Sequence, residues 1–291
     1  SDDHDAWHGL TPPLSDGYAS VYRAPSRRPH GSRTLGCRSR VYPTRPSPYG
    51  ALVNARIWSL LRLAVAALIV AAIVAQLIRS TGNSIEKGWP VAPTIIDFFS
   101  FFTILSNAGA VFVLLVGGIL MLRRAEADGA ESRGFATALV CVSTYMIITG
   151  IVYNLLLRNI PLPQGSTVPW SNEILHVWAP IFLLLDVLFA PRRRALSWSA
   201  LGAVVVFPIV WLAYTLIRGP LVHDFRTGND WWYPYPFLNP NVQPWGYVGV
   251  ALYSIGISVA IVAVGAFTVW VGQRRGIPAR EVPPSAVDTV P

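Results

Sequence analysis

Glu173 and His176 stand three residues apart in SNEILHVWAP, on one face of what should be a helix, at the start of a long apolar run. An acid or amide one turn before an imidazole can fix its tautomer and leave the other ring nitrogen free to take a proton, as a general base requires. Asn172, also one turn earlier, could hold the ring in place of Glu173. His176 is the one histidine of the five that falls in an apolar run, since His4, His8 and His30 lie in an N-terminal tail and His223 in a polar loop. A second set lies in IIDFFSFFTILSN, where Asp97, Ser100, Thr103 and Asn107 recur at steps of three, three and four, one stripe of a continuous α-helix. Tyr153 and Asn154 close another apolar run, and Tyr214 and Arg218 stand at i, i+4 near the end of a further one.

Each group has a plainer reading beside the chemical one. Ser and Thr in apolar helices commonly hydrogen-bond their own backbone or a neighbouring helix, so Thr103 alone reads as structural. His176 reads either as a satisfied core histidine or as a base. The aromatic stretch RGPLVHDFRTGNDWWYPYPFLNPNVQPWGY reads either as an interfacial belt or as a lid whose Trp231, Trp232 and Tyr233 contact an acyl chain.

The elements that must position these residues follow from composition. The chain is 53% hydrophobic and only 13% charged, with a mean hydropathy of +0.45, too apolar for a soluble domain of this length. Six apolar runs are long enough to cross a roughly 30 Å hydrocarbon core: Ile57 to Ile78, Ile95 to Leu122, Phe135 to Leu157, Asn172 to Ala190, Leu196 to Ile217 and Gly246 to Val271. They are too long and continuous for membrane strands. The expectation is an all-α polytopic bundle over residues 55–273, with a disordered basic tail at 1–54 and a polar tail at 274–291.

Arginines cluster on alternate connections: before the first run, then Arg123, Arg124 and Arg133, then Arg192 to Arg194, then Arg274, Arg275 and Arg280. That bias places both termini in the cytoplasm of a multi-pass cell-membrane protein and argues against nucleic-acid binding. Asp186 lies near such a cluster, and an ion pair with Arg192 to Arg194 is its expected anchor. The two cysteines, Cys37 and Cys141, offer neither a disulfide framework nor a metal knuckle, so no metal or cofactor is expected. A rise of 1.5 Å per residue places Thr103 roughly 12 Å below Ile95 and His176 roughly 6 Å below Asn172, both in the outer half of the membrane.

FFSFFTILSN, ITGIVYNLLLR, the stretch from Trp170 to Asp186, YTLIRG and WYPYPFLNP together resemble the bacterial six-span Pr-six-Pr family, over residues 57–272. More distantly the pattern is similar to the androgen-induced and androgen-dependent regulator family of eukaryotic six-span proteins. That resemblance implies hydrolysis of fatty-acyl esters by a threonine nucleophile, carried onto Thr103, and a histidine, carried onto His176. Glu173 or Asn172 would then orient His176, and Asn107 and Asn154 would be the amide donors to a developing oxyanion. The expected partners are membrane lipids, including a lipid ester substrate. Two other readings stand beside it: a carrier or channel using Asp97, Glu173, His176 and Arg218 as a relay, and a non-catalytic scaffold.

Overall fold

The computed structural model describes residues 48–123, 131–160 and 166–276. Among them the protein is all-helical, with six helices long and apolar enough to span a membrane. The first span is α1 (Pro48–Glu86), the second α2 (Val91–Ser100) followed by α3 (Phe102–Arg123), and the third α4 (Arg133–Val152). The fourth is α5 (Pro169–Glu173) running into α6 (Ala179–Phe189); α7 (Ala200–Arg218) and α8 (Tyr247–Arg275) complete the set. α1 begins at Pro48, inside the expected tail, and α8 runs to Arg275; residues 1–47 and 277–291, which hold most of both tails, lie outside the described residues.

The bundle is knit by two apolar clusters. One joins α1, α3, α4 and the fourth span through Ile69, Leu114, Met146, Leu175 and Leu183. The other joins α4, α7 and α8 to the loop after α7 through Tyr145, Val204, Tyr235, Phe237 and Ile261. Small residues let α1 and α3 approach closely, as expected where van der Waals packing rather than the hydrophobic effect drives association. Ser59 of α1 donates to the Gly118 carbonyl. A Cβ on Gly117 would fall 2.7 Å from Phe135 Cζ and 2.8 Å from Arg62 Nη1. Gly117→Ala should therefore cost about 1–3 kcal/mol by overpacking, read as a lowered melting temperature in detergent, whereas Gly202→Ala, with open space around it, should not.

Two ends of the bundle differ in chemistry. At one, Asp186 is fully buried, and its hydrogen-bonded partner is Arg62 of α1, while Arg193 of the expected cluster lies near enough to add its charge. Arg62 Nε donates to Asp186 Oδ1 at 2.7 Å and Nη2 to Oδ2 at 3.0 Å, while Trp58 Nε1 adds a third bond at 2.7 Å. Arg62 sits inside an apolar run where no water can solvate it, so it needs a bidentate partner. Glu131 joins the same end at 3.4 Å from Arg62. Burial pushes its carboxyl above the usual carboxylate range, with Arg62 and Arg193 opposing that shift.

At the opposite end, Asp97 accepts from Arg218 and Arg226, each at 2.7 Å. Both cations also lie against the Trp232 ring.

Three departures from plain helix lie at this second end or toward the middle of the bundle. First, the expected stripe from Asp97 to Asn107 is not on one continuous helix, because Phe101 is extended (φ −71°, ψ 130°) and divides α2 from α3. Two of the backbone groups freed by the break are taken by side chains from elsewhere. Trp211 Nε1 donates to the Ser100 carbonyl at 2.9 Å, and the Thr103 N–H donates to the Tyr235 hydroxyl at 3.2 Å. Second, Pro208 inside α7 cannot donate to the Val204 carbonyl, and the Tyr145 hydroxyl donates to it instead at 2.9 Å. Third, π-helical turns occupy Tyr153–Leu157 and Ile174–Trp178. The second precedes Pro180, which lacks the N–H that the His176 carbonyl would otherwise receive and whose ring crowds it, so the wider turn relieves both.

Candidate functional site

The start of α3 places Thr103 on the wall of a cavity of about 170 Å³ lined by α3, α4, α7, α8 and the loop after α7. The lining is mainly apolar, with Ile148, Val152, Leu212, Phe237 and Ile261 among it. Thr103 is buried, and its Oγ1 lies 3.1 Å from the Tyr235 hydroxyl, either group being able to donate. Burial raises the Tyr235 phenol above its ordinary range, so it stays protonated. Thr149, also on the wall, is 5% exposed, and its hydroxyl has no hydrogen-bond partner. A buried donor left unmade costs about 1–3 kcal/mol, which a ligand oxygen would recover.

His176 lies on the π-helical turn of the fourth span. Its Nδ1 is 2.9 Å from the Asn172 carbonyl. A carbonyl only accepts, so Nδ1 carries the proton and Nε2 keeps its lone pair. Its ring stacks on Tyr153 at 4.1 Å, and Tyr153 itself lines the cavity. Tyr153 thus touches both the imidazole and the cavity, its hydroxyl receiving the Asn172 amide. No hydrogen bond joins Thr103 to His176 in this conformation: one is held by Tyr235, the other by Asn172.

The remaining expected residues fall in several places. Asn172 does hold the imidazole, but through its backbone carbonyl rather than its side chain. Glu173 turns to Arg158 at 2.8 Å, at a half-exposed position. Asn107 is fully buried, yet its amide donates to the Thr103 and Leu175 carbonyls, so both N–H groups are committed and neither can serve an oxyanion. Asn154 donates to the Gly150 carbonyl on an exposed face and accepts from Arg158. Tyr214 shares a hydrogen bond with Ser100 at 2.9 Å. Arg218 serves Asp97, as described. In the aromatic loop, Trp232 packs edge-on against Phe101, Tyr233 presses on Gly219, and Trp231 is half-buried. None of these three lines the cavity; Tyr235 and Phe237 of the same loop do.

Tyr235, Thr149 and Arg62 were not singled out by sequence. Tyr235 sits inside WYPYPFLNP, whose density of aromatics hid one residue with a specific bond; Arg62 was readable as a lone cation within an apolar run. Among the described residues, no three His, Cys, Asp or Glu side chains group as a metal site needs. Comparison of the chain with protein-family models, with curated proteins and with solved structures finds no match. What is defined at this point is a class: a six-helix membrane bundle with one apolar cavity described inside it and a threonine hydroxyl on the cavity wall.

Proposed function

We propose that the protein is a membrane-embedded hydrolase of fatty-acyl esters, with Thr103 as nucleophile and His176 as general base. The observation that carries this reading is the Thr103 hydroxyl on the wall of an apolar cavity within a membrane-spanning bundle, where the ligand must itself be largely apolar. The similarity of FTILSN and NEILHVWAP to the six-span threonine hydrolases points the same way. In the reaction, the Thr103 oxygen attacks the ester carbonyl as Nε2 of His176 takes the hydroxyl proton. The alcohol leaves with that proton, and water then cleaves the acyl-threonine. For the proton to pass, Tyr153, which touches both the imidazole and the cavity, must swing aside. The Nδ1–H tautomer fixed by Asn172 supports the role of the base. The arginine-rich end, by the positive-inside rule, faces the cytoplasm, which puts Thr103 nearer the outer surface of a cell membrane.

The purified protein in detergent, treated with a fluorophosphonate probe and a panel of lipid esters, tests this. Labelling and ester cleavage should fall to background in Thr103→Ala and by at least about 100-fold in His176→Ala, with melting temperatures retained. Labelling that persists in Thr103→Ala would refute the assignment. A carrier is the second reading, favoured by the helix break at Phe101 beside buried Asp97. A carrier would show no probe labelling, and Asp97→Asn would abolish solute-coupled proton movement in vesicles.

A further inference from the structure

The cavity is not sealed. Ile209 of α7 and Val262 of α8 both line it, yet they are 62% and 44% exposed, more than a closed cavity would leave them. Wall side chains exposed to this degree mark an opening. Ile209 stands midway between Ala200 and Arg218, roughly 13 Å from either end of the helix. At that height spanning helices face acyl chains, not water or headgroups. Pro208, beside the opening and on the cavity wall, removes one rung of the α7 hydrogen-bond ladder there, and Tyr145 satisfies the carbonyl it leaves.

Size narrows the occupant. The α8 wall runs from Ser254 to Val262, roughly 12 Å of helix, so about 170 Å³ spread along it makes a slender space. A cavity of about 150 Å³ holds a single benzene ring, so this one matches the girth of one acyl-chain segment. The unpaired Thr149 hydroxyl supplies one polar anchor on the same wall.

We infer that a single acyl chain enters the cavity sideways from the bilayer, between α7 and α8 past Ile209 and Val262, and seats its ester oxygen on the Thr149 hydroxyl. The binding mode deepens the hydrolase reading and rests on it for the fate of the ester, but it can be measured without turnover.

The full chain in phosphatidylcholine nanodiscs is photolabelled with a diazirine-bearing fatty acid methyl ester and, in parallel, with an alkane of equal length carrying the same group. Cross-links should map to the cavity-lining residues of α7 and α8, and the ester should label about fivefold better than the alkane, the scale of one neutral hydrogen bond. Thr149→Val should erase that preference with alkane labelling and melting temperature unchanged or raised, because it removes an unsatisfied buried hydroxyl. Ile209→Trp with Val262→Trp should lower labelling by both probes about tenfold, and Ile119→Trp, on an exposed face of α3, should not. Should the double variant melt early, Ser258→Trp, at an exposed wall position, decides in its place. Cavity cross-links insensitive to the tryptophans, or absent from α7 and α8, overturn the route; an ester preference that survives Thr149→Val overturns the anchor. Photolabelling that behaves as expected while Thr103 never reacts with a fluorophosphonate leaves the binding mode standing and removes the hydrolase.

Discussion

Replacing Asp186 by alanine will cost this protein about 3–5 kcal/mol of stability or prevent its folding, because it strands a buried guanidinium. Arg62 is fully buried and loses both of its close bonds in that variant, keeping only Glu131 at 3.4 Å. Arg193, 7% exposed and with neither terminal nitrogen hydrogen-bonded, loses the same neighbouring negative charge, and burial already disfavours its charged form. Arg62→Ala should be milder, since Asp186 keeps its bond from Trp58 and the nearby Arg193 charge. The double variant Arg62→Met with Asp186→Leu should recover much of the loss, as apolar replacements of a buried pair commonly do. Thermal melting in one detergent across the four proteins reads all of this. Single variants within about 1 kcal/mol of the parent would show that the pair is solvated, contrary to its burial.

What the sequence made legible is what bilayer physics imposes locally. Run length and apolarity located all six spans, because a helix must satisfy its own backbone for the full thickness of the hydrocarbon. Partners were legible only where they were near in sequence. Asp186 was assigned to arginines a turn or two away, yet its partner Arg62 lies 124 residues earlier, and nothing in either run specifies that the two helices meet. The same holds at the site. Thr103 and His176 were singled out from residue type and depth, and of the two only Thr103 is on the cavity wall. Their hydrogen-bond partners, Tyr235 and a backbone carbonyl, depend on a loop packing into the bundle and on a π-helical turn. Asn107 was legible as a buried amide but not as one with both hydrogens spent.

The break at Phe101 was hidden for the same reason, and it carries a second large expected effect. FFSFFTILSN contains neither Pro nor Gly, so nothing local ends the helix. The break is supported by Trp211 and Tyr235, which bond two of the backbone groups that it releases. Removing either partner leaves a peptide group unpaired in a waterless interior, at about 1–3 kcal/mol each. Tyr235→Phe deletes only the hydroxyl, which Thr103 Oγ1 also shares, whereas Trp211→Phe removes the indole N–H together with part of the ring, so its melting temperature should fall by the bond plus a packing term. Tyr214→Phe is the contrast: it also loses a bond to Ser100, but Ser100 keeps the Ile96 carbonyl at 2.7 Å and the Tyr214 ring is 42% exposed, so stability should barely change. The double variant Trp211→Phe with Tyr235→Phe should lose less than the sum of the singles, because with both partners gone α2 and α3 can rejoin into one helix and pair their own backbone. Rejoining would rotate Thr103 relative to Asp97, so fluorophosphonate labelling of Thr103 should fall in the double variant by more than the stability loss explains. Additive losses with labelling intact would mean that the break is held by backbone packing alone, and that Tyr235 has no part in positioning Thr103.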